Sequence, residues 1–310
     1  MRSILVTGGA GFIGSNLVLE LQHRHPNAHI VVIDDFRSGD FRNLIGFKGE
    51  FVAADLSRLD WNAQFRNLSF DAIFHEASIT DTTVHDQFLQ THNNVESFRR
   101  LLDFAAPSLI PVIYASSASV YGLGSNVMQE DQPPAPANVY AFSKVQLDNL
   151  ARIYARRQPA WKIVGVRYFN VYGMHEAHKK AAASMIYQLY LQIKAGKRPR
   201  VFHSGGQRRD FVHVKDAVNM TIDALSAPQS RVYNCGSGRA FSFNEVIDEL
   251  NRNLGTDLAP EYFENPYGFY QPRTEADLTL ARTELKYSPE FPPIRGIADY
   301  VAALEGRKSA

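Results

Sequence analysis

The chain has 310 residues, enough for one large or two modest domains, and its 45% hydrophobic and 21% charged content is that of an ordinary globular protein. A net charge of +1 gives no electrostatic case for a nucleic-acid partner or an anionic membrane surface. The single cysteine, Cys235, excludes a disulfide framework within the chain and reads as a small buried apolar residue.

Met1-Arg2 leads straight into a short apolar strand, Ile4-Leu5-Val6-Thr7, with no signal peptide ahead of it. No apolar run reaches the ~18 residues needed to span a membrane, so a cytoplasmic protein is expected. Three glycines spaced three apart follow the strand, Gly8, Gly11 and Gly14, and they also satisfy Gly9-x-Gly11-x-x-Gly14. An amphipathic run over 16–21 then reads as a helix. Strand, glycine turn and helix form the context of a dinucleotide fingerprint. Gly8 permits the turn, Gly11 lets a diphosphate approach the backbone, and Gly14 lets the helix pack on the strand. Residues 29–33 are a second apolar strand, ending in Asp34-Asp35, where the acid that holds a ribose hydroxyl is expected.

Residues 38–49 read as a loop, 50–55 as a third strand and 71–77 as a fourth. Residues 86–106 have helical periodicity, with Phe88, Val95, Phe98, Leu101, Leu102 and Ala105 on the apolar side. The next strand, 110–117, ends in Ser116-Ser117. Alternating buried strands and amphipathic helices predict an α/β fold with a doubly wound parallel sheet. Ligands of such sheets lie at the carboxyl ends of the strands, so Asp34, Asp55, Glu76 and Ser117 should line one crevice.

A helix is predicted over 138–157, and it places Tyr140 and Lys144, four apart, on one side. A free tyrosine, with a pKa of about 10, is a poor base at neutral pH. A neighbouring ammonium should lower that value. The pair can then exchange a proton with a substrate hydroxyl while a hydride moves to a nicotinamide. Ser117 can hydrogen-bond the same oxygen.

The glycine turn, Ser117 and Tyr140-x-x-x-Lys144 resemble the extended short-chain dehydrogenase/reductase superfamily, a Rossmann fold with a smaller α/β substrate domain. Dehydratases of that superfamily carry an Asp-Glu pair after the active-site hydroxyl residue. Here Ala118-Ser119 follows Ser117, which points away from dehydration. The stretch Arg167-Tyr168-Phe169-Asn170-Val171-Tyr172-Gly173-Met174-His175-Glu176-Ala177-His178-Lys179 resembles ADP-glyceromanno-heptose 6-epimerases. So do Phe74-His75-Glu76-Ala77, Thr82-Thr83, Asn93-Asn94, Arg209-Asp210-Phe211-Val212 and the stretch 271–278.

The resemblance implies inversion of the 6-position carbon of ADP-D-glycero-β-D-manno-heptose to the L-glycero form, for lipopolysaccharide core biosynthesis. It makes Lys179 a second acid/base beside Tyr140, active only if its pKa is depressed by burial or by neighbouring cations such as His178 and Lys180. It assigns Arg209 to the substrate diphosphate and Asn170, Phe202, His203 and Tyr270 to the nucleotide-sugar. Residues 181–195 read as a helix and 262–273 as a loop rich in Pro, Tyr and Phe. Lys180 and Ala181 depart from the family, where glycine and serine are common. The expected cofactor set is Gly8, Gly11, Phe12, Ile13, Gly14, Asp34, Asp35, Asp55, Glu76, Ala77, Asn93, Tyr140 and Lys144. Asp34 suits NAD, Arg37 and Arg42 suit the 2′-phosphate of NADP, and the resemblance tips the choice to NADP. No metal site is expected. The cofactor domain is expected over 1–169 with a return near 212–240, and a substrate domain over most of 170–310. A homo-oligomer, a pentamer by resemblance, is implied. Another NAD-dependent sugar epimerase, such as a UDP-hexose 4-epimerase, is the alternative enzyme. A non-catalytic redox-sensing or binding protein is the alternative of another class, against which the intact Ser117, Tyr140 and Lys144 argue.

Overall fold

The computed structural model describes residues 1–80, 86–124, 126–264 and 272–307. The first six strands are β1 (Ser3–Thr7), β2 (His29–Asp34), β3 (Glu50–Ala53), β4 (Ala72–His75), β5 (Val112–Ser117) and β6 (Ile163–Tyr168). Six further strands follow: β7 (Asn170–Tyr172), β8 (Arg200–Phe202), β9 (Arg208–His213), β10 (Val232–Cys235), β11 (Ala240–Ser242) and β12 (Glu261–Phe263). A seven-stranded sheet runs β10-β6-β5-β4-β1-β2-β3 with every ladder parallel. Strands β11-β9-β7 form a second sheet and β12-β8 a third.

Alternation along the strands separates two cores. Ile4, Val6, Val32, Phe74, Ile113 and Val164 pack on one face of the large sheet. Leu5, Val31, Ile33, Ile73, Val112 and Tyr114 pack on the other. Both faces are thus covered by helices, which is why the strands read as continuous apolar runs. A third core, around Tyr172, Ile186, Leu189, Phe241, Val246 and Tyr300, lies beneath the smaller sheets. Cys235 is free and fully buried, as its apolar reading requires.

Strand β1 pairs with β2 on one side and β4 on the other, so Thr7 faces both Ile33 and His75. Strand order reverses here, and the carboxyl ends part to leave a crevice above Gly8.

Four elements differ from expectation. The first helix spans Phe12–Arg24, so the glycine turn itself enters it. Residues 86–106 are not one regular helix: Gln87–Thr91 and Ser97–Ala105 are joined by a single π-turn, His92–Glu96. The wide turn shifts the phase of everything before it. Phe88 is therefore 78% exposed, its ring stacked on His92, whereas Phe98, Leu101, Leu102 and Ala105 are buried. The helix expected over 181–195 spans Met185–Lys194, because Lys180 adopts φ 51°, ψ −118° and Ser184 caps the helix by accepting from the Tyr187 amide. Residues 262–273, read as a loop, contribute to β12, and residues 265–271 lie outside the described residues.

Candidate active site

A cleft of about 590 Å³ runs along the carboxyl ends of the central sheet. Gly8, Gly11, Phe12, Ile13, Gly14, Asp34, Asp35, Asp55, Glu76, Ala77 and Asn93 line one part. Ser117, Tyr140, Lys144, Asn170, Lys179, Phe202 and Arg209 line the rest. His203 does not line it; this residue is exposed, at φ 55°. Tyr270, Thr82-Thr83 and Gln271 lie outside the described residues.

The glycine turn is built for close approach. A Cβ on Gly14 would sit 2.1 Å from the Gly8 carbonyl oxygen, and one on Gly8 would sit 2.5 Å from the Ala77 nitrogen. No side chain caps the Phe12–Arg24 helix, whose first turn opens on the cleft. A bare helix N-terminus behind a glycine turn fits the diphosphate of a dinucleotide. Asp34 braces the turn: its carboxylate accepts from the Ala10 amide at 2.9 Å and the Phe36 amide at 2.8 Å. Each oxygen keeps a further lone pair for a ribose hydroxyl. Burial raises Asp34 above the ordinary carboxylate range, against those two hydrogen bonds. Arg37 donates to Asn93 at 2.6 Å and lies 3.0 Å from Asp35 and 3.3 Å from Asp55. Arg42 instead pairs with Asp40 and does not line the cleft.

The π-turn has a local use. In a regular helix, consecutive side chains point about 100° apart. From this turn and its junction with the next helix, Asn93, Asn94 and Ser97 line the cleft together. Asn94 also accepts from the Ile79 amide at 2.8 Å and donates to Ser143 at 2.9 Å, tying the loop after β4 to the helix that carries Ser143.

Asn138 starts the Val139–Arg157 helix by accepting from the Ala141 amide at 2.8 Å. This places Tyr140 in its first turn and Lys144 one turn on. Ser117, at the end of β5, hydrogen-bonds the Tyr140 hydroxyl. Lys144 is 1% exposed, donates to the Ala115 carbonyl at 2.8 Å and lies 5.7 Å from the Tyr140 ring centroid. Burial draws Lys144 down to about 8, against the pull of Glu76 and Asp148. Tyr140 departs from expectation. Burial raises it above its ordinary value, the Ser117 hydrogen bond opposes this, and the nearby Glu76 adds to it.

Glu76 was expected as a polar strand end and in the cofactor set. Its environment is more specific. Tyr168 donates to it at 3.0 Å and lies 2.6 Å from Thr221. Burial pushes Glu76 up to about 7, against that hydrogen bond and the Lys144 ammonium.

Lys179 rides on the 3-10 turn Ala177–Ala182, its Nζ 5.4 Å from the Phe12 ring centroid. Its pKa is lowered, and the cause is burial rather than neighbouring cations, with Glu176 pulling the other way. Lys180 is exposed and takes a backbone conformation that glycine adopts without strain, so the departure from the family lies where a side chain costs most. Arg209 and Asp210 are neighbours in β9 and so face opposite ways. Asp210 is fully buried and accepts from the Ser237, Gly238 and Ala276 amides. Arg209 turns to the cleft, its guanidinium 5.8 Å from the Phe243 ring centroid. Asn170 donates to Thr274 at 3.2 Å. Phe211, within the Arg209-Asp210-Phe211-Val212 landmark, and Phe243, which nothing in local sequence had marked, also line this end.

Residues 4–236 match the model of the NAD dependent epimerase/dehydratase family. The chain is 37% identical to the Brachyspira hyodysenteriae ADP-L-glycero-D-manno-heptose-6-epimerase, over 97% of this chain and 98% of that one. The crystal structure of the Helicobacter pylori ADP-L-glycero-D-manno-heptose-6-epimerase matches with 40% identity and a TM-score of 0.91, covering 98% of this chain and 96% of that one. The UDP-glucuronic acid 4-epimerase of Bacillus cereus, solved with UDP-glucuronic acid and NAD, matches with 28% identity and a TM-score of 0.83, covering 98% and 100%.

Proposed function

Because the chain belongs to the NAD dependent epimerase/dehydratase family, among the ADP-glyceromanno-heptose 6-epimerases, we propose that it inverts the 6-position carbon of ADP-D-glycero-β-D-manno-heptose. The observation that carries the reading is one cleft that holds a glycine turn, a Ser-Tyr-Lys set and a second, half-buried lysine together. The nicotinamide, when bound, takes up the hydride of the sugar carbon and returns it to the opposite face. Everything else falls to the chain. Tyr140, held by Ser117, exchanges the proton of the hydroxyl in one epimer. Lys179, its pKa lowered by burial, exchanges it in the other. Lys144, 5.7 Å from the Tyr140 ring centroid, would hold the ribose of the cofactor. Arg209 clamps the substrate diphosphate, with Asn170, Phe202, His203 and Tyr270 about the nucleotide-sugar.

The cofactor in this reading is NADP, with Arg37 offered to the 2′-phosphate at the Asp34-Asp35 end; NAD is the alternative. The product serves lipopolysaccharide core assembly in the cytoplasm, made by a homo-oligomer, a pentamer by family resemblance. The cofactor domain is residues 1–169 with the return near 212–240. A UDP-hexose 4-epimerase remains the rival, favoured by the likeness to the Bacillus cereus enzyme. Purified protein turned over with ADP-heptose and with UDP-hexoses separates the two, and the mass of dinucleotide released on denaturation identifies the cofactor. Inversion of a UDP-hexose but not of ADP-heptose would overturn the proposal.

A further inference from the structure

The loop that carries Lys179 leaves β7, in the second sheet, yet it is fastened to the first turns of the Phe12–Arg24 helix. His175 Nδ1 lies 3.0 Å from Ser15 Oγ, and Asn16 donates to the Met174 carbonyl at 2.9 Å. The Lys179 ammonium rests over Phe12. His178 Nδ1 lies 3.0 Å from Asn43, which in turn donates to the Ala10 carbonyl at 3.0 Å. Four residues of the loop thus touch the glycine turn, its helix or the segment bound to it.

The loop is also closed on itself. Glu176 is fully buried and accepts from the Gly173 amide at 3.1 Å, the Ser184 amide at 2.5 Å and the Ser184 hydroxyl at 2.9 Å. Both residues flanking this short arm, His175 at φ 71° and Lys180 at φ 51°, are left-handed. A non-glycine residue keeps such a conformation only where its surroundings over-determine it. Here the fixing contacts are the Glu176 clamp within the loop and the His175–Ser15 contact outside it.

We infer that His175, through Ser15, is a positioning residue that sets Lys179 against the cofactor-binding helix, so that one element registers both the dinucleotide and the second acid/base. The inference rests on the reading of Lys179 as the acid/base for one epimer. A displacement of about 1 Å at such a group can cost on the order of a hundredfold in rate. Loss of the latch must therefore harm one epimer and spare the other, because Tyr140 is held separately by Ser117 and its own helix.

The test uses Ser15→Ala, which breaks the contact without touching the left-handed backbone and replaces serine by a better helix former. His175→Asn, which tolerates the left-handed conformation, is the second variant. Each holoenzyme is mixed with each heptose epimer, and reduction of the bound nicotinamide is followed by absorbance in a single turnover. Amide hydrogen exchange over 174–180 is measured in parallel. The expected result is faster exchange in that loop, and oxidation slowed roughly tenfold or more for one epimer and less than about twofold for the other. Equal slowing of both epimers, or of neither, overturns the inference. Lys179→Met is the control. If it shows the selective loss and the latch variants do not, only the latch falls. If Lys179→Met shows no selective loss, the acid/base reading fails and the inference with it.

Discussion

Tyr140 enters the cleft from the first turn of its helix with Ser117 on its hydroxyl, and Lys179 enters from a turn of the second sheet. Tyr140→Phe removes one oxygen and almost no volume. It should cut turnover by roughly 10²–10⁴-fold and leave the dinucleotide bound. Lys179→Met should cost a similar factor, and activity within a few-fold of wild type would make Lys179 an ordinary loop lysine. The identity of both residues was legible in the sequence, but their electrostatics were not. An ammonium four residues away suggested a lowered tyrosine, and for the lysine burial and two basic neighbours were both left open as causes. Burial, which no local pattern records, raises the first and alone lowers the second. Burial also makes Glu76 a titrating group near neutrality, at about 7 against a reference of 4.5. Between those values the folded protein holds a proton that the unfolded chain has lost. Its contribution to stability is therefore full below about pH 4.5 and lost as pH rises through 7. Glu76→Gln should abolish that slope, worth at most about 3 kcal/mol. Urea unfolding of both proteins without ligand at pH 5 and pH 7 checks it. Wild-type protein that gains stability relative to Glu76→Gln across that interval would contradict it.

The elements divide by how local their causes are. Strands of the large sheet were legible because they are apolar on both faces and punctuated by glycine and acids. The His92–Glu96 π-turn was not, since one extra residue in a turn leaves the composition of a helix intact and changes only its phase. Its result is legible in space: Asn93 and Asn94 face the cleft together while Phe88 turns to solvent. The turn bearing Lys179 shows the same limit. Helical spacing over 181–195 hid the late start of the helix at Met185, and just ahead of that range Lys180 takes φ 51° and ψ −118°, which suit glycine. Lys180→Gly should relieve that strain and stabilise the protein by about 1 kcal/mol, the lower end for a strained non-glycine residue. Thermal unfolding checks it, and a lower melting temperature would show that the Lys180 side chain contributes more than its backbone costs.

At the scale of the whole molecule, the cleft gathers residues from Gly8 to Phe243, drawn from the ends of the central strands and from the second sheet. Motif spacing gave its cofactor side, and the family resemblance gave most of its substrate side. Docking of the β7 loop on the first helix was invisible, because no sequence pattern relates His175 to a serine 160 residues earlier. The assembled site has one chemical consequence that separates it from other ways of inverting a carbon. Proton abstraction from carbon needs an adjacent carbonyl to stabilise the carbanion, and the 6-position of the heptose has none. Transient oxidation needs only acid/base groups on oxygen and an acceptor for hydride, and the hydrogen on carbon never becomes exchangeable. The measurement is mass spectrometry or proton NMR of heptose product formed in deuterium oxide, with no free cofactor added. The account predicts an inverted carbon that carries no deuterium. Substantial deuterium at that carbon would contradict it and remove the roles given to Tyr140 and Lys179, whatever the fold.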